Sequence, residues 1–76
     1  MYEQLKEMIE RKFQVPLADI EPTATLEDLG LDSLDVVELA LIIEKETGVR
    51  VTDDELVEAA DLGSLANLVM SRIAPV

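Results

Sequence analysis

Ser33 lies between two aspartates in "DLGLDSLDVVELALIIEKETG", residues 28–48. A serine acts as a nucleophile only when a base takes its proton, and no basic residue is near it in this stretch. The chain contains no histidine and no cysteine, so neither a Ser-His-Asp nor a Cys-His arrangement can be built. A zinc site would have to use carboxylates alone, which is poor zinc chemistry. Calcium is a natural suspicion for so acidic a chain, but the loop spacing fails. With Gly30 as the sixth position, Thr25 is first and Val36 twelfth; with Gly63, Glu58 is first and Val69 twelfth. Neither frame puts ligands where a calcium loop needs them. There is no glycine-rich phosphate loop, and the many carboxylates fall in no predicted pocket that would raise a pKa for hydrolysis. Autonomous catalysis has no support here.

What remains for Ser33 is attachment. As the first residue of a helix its side chain sits at the rim, beside backbone N–H groups that have no intrahelical partner. A phosphate ester there would meet the positive end of the helix dipole. Asp32 and Asp35 oppose this in part, so the site suits a group installed by another protein that recognises the acidic frame. The competing reading is that Ser33 is ordinary helix-start punctuation, and the residues alone leave both open.

Four helices are expected to hold this residue. Tyr2, Leu5, Met8, Ile9 and Phe13 recur at helical spacing and form one apolar stripe, flanked by Lys12. That helix ends near Gln14, because Pro16 disfavours a helical Val15. Residues 16–30 read as a long loop, with Leu17, Ile20, Leu26 and Leu29 available to pin it to the core; loops of this length in small domains are often functional. Asp32 caps a second helix that runs to about Thr47, with Asp35 acidic in its first turn and Gly48 as its stop. Its apolar residues cover most of the circumference, which predicts a central, buried position. Thr52 and Glu55 fit a capping box and start a short third helix. A fourth follows, with Leu62, Leu65, Leu68, Val69 and Ile73 facing inward, Asp61 or Ser64 as its cap, and Pro75 as its end. The fold class is therefore all-α: a small four-helix bundle with a short third helix and a long loop between the first two.

Bulk composition agrees. The 76 residues form a single domain with no room for a second core, and 49% apolar with 30% charged residues is a globular balance. The charged, alternating N-terminus is neither a signal peptide nor a membrane span. The absence of cysteine excludes disulfides and is compatible with a reducing cytosol. Seventeen acidic residues against six basic ones give a net charge of −11. Nucleic acid and anionic membrane would both be repelled. Proteins with basic patches would be attracted, quickly and with salt sensitivity.

"LGLDSLDVVEL", Leu29 to Leu39, resembles the attachment motif of acyl carrier proteins. The resemblance extends over nearly the whole chain: the first helix, the long loop, "TLEDLGLDSL", and "GVRVTDDEL" before a short third helix fall in family order. It implies that Ser33 carries 4′-phosphopantetheine, transferred from coenzyme A by a phosphopantetheinyl transferase, and that acyl groups ride as thioesters on its thiol. A carrier of this kind is not an enzyme; the arm supplies the reactive group. The expected partners are acyltransferase, ketosynthase and other acyl-processing enzymes with basic docking patches. They would meet an acidic frame of Asp32, Asp35, Glu38 and Glu44, extended by Asp53 and Asp54. Weak, fast, charge-steered contacts suit a domain that must dock and leave repeatedly. Leu34 and Leu41 match positions that in the family sit beside the arm and give docking an apolar centre.

Further expectations follow from the resemblance. The protein is expected to be a cytoplasmic monomer. An attached chain would slip between the second and third helices, past Leu41, Val57 and Ala59. Lys45 interrupts the acidic strip, and Thr47-Gly48 stands where an aromatic is frequent, so a polyketide or other specialised pathway fits as well as fatty acid synthesis. Peptidyl carriers more often show G-G-H-S at the site, whereas Leu31-Asp32 precede Ser33 here; D-alanyl carriers also fit. A helical adaptor with Ser33 unmodified and an acidic cation buffer are the readings from other classes.

Overall fold

The computed structural model describes residues 1–73, and the expected stop at Pro75 lies outside them. The described residues form four α-helices: α1 (Tyr2–Phe13), α2 (Ser33–Thr47), α3 (Asp53–Glu58) and α4 (Leu62–Arg72). α1 packs against both α2 and α4, while α3 packs on α2. Among the described residues fifteen apolar side chains make the core, and no polar or charged one is buried. Leu5, Ile9, Leu39, Ile43, Leu56, Leu62, Leu65 and Val69 are its fully buried large residues. Each contributes roughly 1.5–3 kcal/mol by leaving water.

The stripe of α1 divides as its geometry requires. Leu5, Met8 and Ile9 are buried, whereas Tyr2 and Phe13 at the two ends are only half-buried. Gln14 closes the helix in the left-handed region at φ 57°, and Pro16 follows. Arg11 then ties α1 to the end of α2 through Glu46 at 3.1 Å.

The connection between α1 and α2 is more ordered than its composition suggests. Leu17–Asp19 form a 3₁₀ turn. Leu17 does not pin the loop: it is 46% exposed, because the tight turn carries only Ile20 inward. Ala24 is buried as well, and Leu26 and Leu29 pack partly against the core. Thr25 and Asp28 exchange hydrogen bonds, with the Thr25 N–H donating to Asp28 Oδ2 at 3.1 Å and the Asp28 N–H donating to Thr25 Oγ1 at 2.9 Å. The loop thus carries its own capped turn immediately before the Ser33 region.

The same loop settles how α4 begins. Asp61 is the cap, and its Oδ1 accepts from the Ser64 N–H at 2.8 Å. The two preceding amides are taken by loop carbonyls: Leu62 N–H donates to Ala24 O and Gly63 N–H to Pro22 O, both at 2.9 Å. The opening N–H groups of this helix are therefore all satisfied. Gly63 suits this approach, since a Cβ there would sit 3.3 Å from the Pro22 carbonyl oxygen, a tight contact that would push the loop back by a few tenths of an ångström. At the other end Ile73 is 41% exposed rather than inward, because α4 stops at Arg72 and the chain turns to an extended conformation.

α2 is not buried all round. Val36, Leu39 and Ile43 enter the core, but Leu34, Val37 and Leu41 are exposed. With α1 and α3 as its neighbours, α2 leaves one side uncovered. Residues at spacings of three and four share a helix face, so Leu34, Val37 and Leu41 form an apolar ridge along that open side.

Candidate functional site

Ser33 is the first residue of α2 and its side chain is exposed. A reciprocal capping box holds the turn around it. The Asp35 N–H donates to Asp32 Oδ1 at 2.9 Å, and the Asp32 N–H donates to Asp35 Oδ2 at 3.2 Å. The two aspartates flanking the serine therefore do structural work with one oxygen each, which leaves the other oxygen of each for solvent or a partner. Asp32 sits in extended backbone, φ −93° and ψ −175°, as an N-cap must. The Ser33 hydroxyl is consequently presented from a fixed peptide, in the opening turn where N–H groups lack intrahelical acceptors.

Beside Ser33 opens a cleft of about 500 Å³ between α2, α3 and the preceding loop. Leu26, Leu31, Val36, Leu56, Val57 and Ala59 give it apolar walls. α3 forms one whole side, yet Leu56 is its single buried residue. The helix is held in place by other means. Thr52 and Glu55 form the expected capping box, with N–H to side-chain bonds of 3.0 and 3.1 Å. Arg72 reaches across from α4 and forms a two-point ion pair with Glu55, one arm at 2.8 Å. Arg72 also donates to the Arg50 carbonyl at 3.2 Å. The Arg72 hydrogen bonds, aided by the Thr52 N–H, hold the Glu55 carboxyl down to about 2.

A second groove of about 320 Å³ lies farther along α2. Leu41, Glu44 and Asp53 line it together with Val37, Arg50 and Val51. Leu41 therefore does not border the cleft at Ser33; it stands on the α2 ridge, 61% exposed, over a separate depression. Leu31, Val36 and Leu56, rather than Leu41, line the cleft at Ser33, because the loop rather than the middle of α2 closes its wall there. Val57 and Ala59 do line the cleft, as expected.

The remaining site residues lie on α2 and at the start of α3. Glu38, Asp53 and Asp54 are exposed, and Leu34 is the most exposed large apolar residue at 74%. Glu44 is engaged: Arg50 Nε donates to its Oε2 at 2.9 Å. Sequence reasoning missed Arg50. Its only signal was the alternation Val49-Arg50-Val51, which buries the two valines and turns the arginine outward. It missed the Arg72–Glu55 tie too, since those residues are seventeen positions apart.

Among the described residues no group of three or more acidic side chains gathers closely enough to hold a metal ion. No helix among them is long and apolar enough to cross a membrane.

Against this geometry, a family model described as "Phosphopantetheine attachment site" matches residues 3–69. The chain belongs to the acyl carrier protein family. An acyl carrier protein of Saccharopolyspora erythraea is 33% identical over 75 residues, covering 97% of this chain and 79% of that protein. One from Helicobacter pylori is 31% identical over 70 residues, covering 91% and 90% respectively. The crystal structure of an acyl carrier protein from Thermotoga maritima superposes with a TM-score of 0.75 at 26% identity, covering 92% of this chain and 82% of that one. Acyl carrier proteins are non-catalytic, and their cofactor is covalent 4′-phosphopantetheine. The all-helical carrier fold is thereby established for this chain, together with the class of work it does.

Proposed function

We propose that Ser33 is the phosphopantetheine attachment point and that residues 1–76 work as one carrier domain for fatty acid or polyketide biosynthesis. The observation that carries the reading is the placement of Ser33: an exposed hydroxyl, fixed by the Asp32–Asp35 capping box, at the edge of an apolar cleft. These features fit the group. The exposed hydroxyl is reachable by a modifying enzyme. When bound, the arm supplies the thiol on which acyl groups are carried. The chain's own residues do the rest. Asp32 and Asp35 orient the serine, amides of the opening turn would favour the negative charge of an ester phosphate, and Leu26, Leu31 and Leu56 would offer an acyl chain a wall out of water.

Docking on this reading uses the open face of α2 and the start of α3. Leu34 and the Leu41 ridge supply a small apolar centre. Asp35, Glu38, Asp53 and Asp54 supply negative charge that steers basic patches on a phosphopantetheinyl transferase, an acyltransferase or a ketosynthase. The net charge of −11 disfavours a second copy, so the working form is a monomer, placed in the cytoplasm with its partners.

The test is direct. The protein is incubated with coenzyme A and a broad-specificity phosphopantetheinyl transferase, then weighed by mass spectrometry. One added arm that is absent from Ser33→Ala supports the reading; an unmodified wild-type protein, where a known carrier accepts the arm, refutes it. Which acyl-loading enzyme then charges the product separates fatty acid and polyketide roles from peptidyl or D-alanyl carriage. Amide shifts that differ between loaded and unloaded protein only around Ser33 would exclude entry of the chain into the cleft.

A further inference from the structure

The negative face of α2 is interrupted by a cation whose position the core dictates. Val49 and Val51 are both 5% exposed. In an extended segment alternate side chains point to opposite sides, so burying both valines forces Arg50 outward. The Arg72 guanidinium holds the Arg50 carbonyl at 3.2 Å and fixes the same segment from the other side. From that anchored backbone Arg50 reaches Glu44 at 2.9 Å, beside Leu41. The hydrogen bond to Glu44, and its charge, raise the Arg50 pKa further.

This pairing alters what a partner meets. Two opposite charges so close present a dipole, whose field fades much faster with distance than that of a lone carboxylate. Lys45 follows on the helix and has no carboxylate within ion-pair distance among the described residues. Glu38 lies about 9 Å back from Glu44 along the axis at 1.5 Å per residue. That is about one Debye length at physiological salt, so an approaching patch meets the two ends of α2 as separate features. The end near Ser33 is acidic. The end near Gly48 is not.

We propose that Arg50 is a specificity-determining residue, which withdraws Glu44 from the docking face and restricts cationic partners to the Ser33 end of α2 and the start of α3. A fitting partner places its lysines and arginines opposite Glu38, an apolar residue over Leu41, and no cation opposite Arg50 and Lys45. The inference rests on the carrier reading and narrows the partner chemistry of the same surface.

The transferase assay tests it, with KM for the carrier as the readout. The proteins compared are wild type, Glu38→Gln, Glu44→Gln, Arg50→Gln and the double variant Glu44→Gln/Arg50→Gln, each checked for an unchanged helical spectrum. Electrostatic steering predicts that Glu38→Gln raises KM by about threefold or more at low salt, and that Glu44→Gln raises it too, because the Arg50 charge is left uncancelled. Arg50→Gln lowers KM about threefold by releasing the Glu44 charge. That gain disappears in the double variant and shrinks as salt is added, while kcat moves less than KM. The proposal is overturned if KM is indifferent to Arg50, if the gain persists without Glu44, or if the double variant does not return close to wild type. A wild-type protein that takes no arm overturns the carrier reading itself; an arm that is taken with no Arg50 effect overturns this inference alone.

Discussion

Replacing Asp32 with alanine removes the carboxylate that accepts from the Asp35 N–H at 2.9 Å. It also leaves Asp35 as half of a capping box with nothing to reciprocate. Loss of an N-cap costs about 1 kcal/mol. At about 2.1 cal/mol/K per residue, a chain of 76 residues unfolds with an entropy of about 160 cal/mol/K. The midpoint should therefore fall by about 6 °C in Asp32→Ala, followed by circular dichroism at 222 nm and neutral pH. Asp32→Asn separates the two jobs of the residue. Asparagine caps about as well as aspartate, so only the favourable charge at the positive end of the helix is lost, about 0.3–1 kcal/mol. That corresponds to a fall of about 2 °C at the lower end of the range, and in every case to less than in Asp32→Ala, which loses the same charge together with the cap. In the transferase assay the order changes: Asp32→Asn should still show a raised KM, because its missing charge belongs to the docking face. The capping argument is refuted if Asp32→Ala melts within a degree of wild type. It is refuted equally if asparagine and alanine destabilise alike.

Three further outcomes follow from the packing. Leu56→Ala empties the one buried position of α3 and should cost about 2–5 kcal/mol, with amide exchange in residues 53–58 rising before that of α1; uniform acceleration across all helices would show that α3 is not the loosely held element. Leu41→Ala, at an exposed position, should leave the melting midpoint within about 3 °C, consistent with about 0.5 kcal/mol at the surface, while raising KM for partner enzymes; a large loss of stability would mean that Leu41 belongs to the core. The Glu55 pKa is lowered from 4.5 to about 2 in the folded state. The stability from this group is therefore fully present above about 4.5 and is lost as pH falls through about 2. Acid titration of wild type should show a decline across that window which is reduced in Glu55→Gln, and identical profiles would remove the Arg72 tie from the account.

Much of the helical framework was readable because it is local. A cap spans three residues, so Asp32 with Asp35 and Thr52 with Glu55 are visible as spacings, as are the stripe of α1 and the stop at Gly48, where φ is 77°. Ser33 stood out for the same reason, at the junction of a loop and a capped helix. The motif around it named the chemistry that the family comparison then supported for the chain as a whole. α4 shows the boundary of such reading. Asp61 and Ser64 are both good caps by type, and the choice fell to the Ala24 and Pro22 carbonyls, which arrive from about forty positions away to take the adjacent amides.

The uses of the surface were beyond the sequence for a related reason. Periodicity counts apolar residues on α2, but burial depends on which neighbours cover each side, and α1 and α3 are its main ones. Leu34, Val37 and Leu41 were therefore left in the open. The cleft beside Ser33, the Arg72 hold on α3 and the pairing of Arg50 with Glu44 all join segments distant in the chain or turned by a loop. Hydrogen bonds that close within one turn are encoded by spacing alone, whereas contacts that depend on how helices pack exist only once the chain has folded.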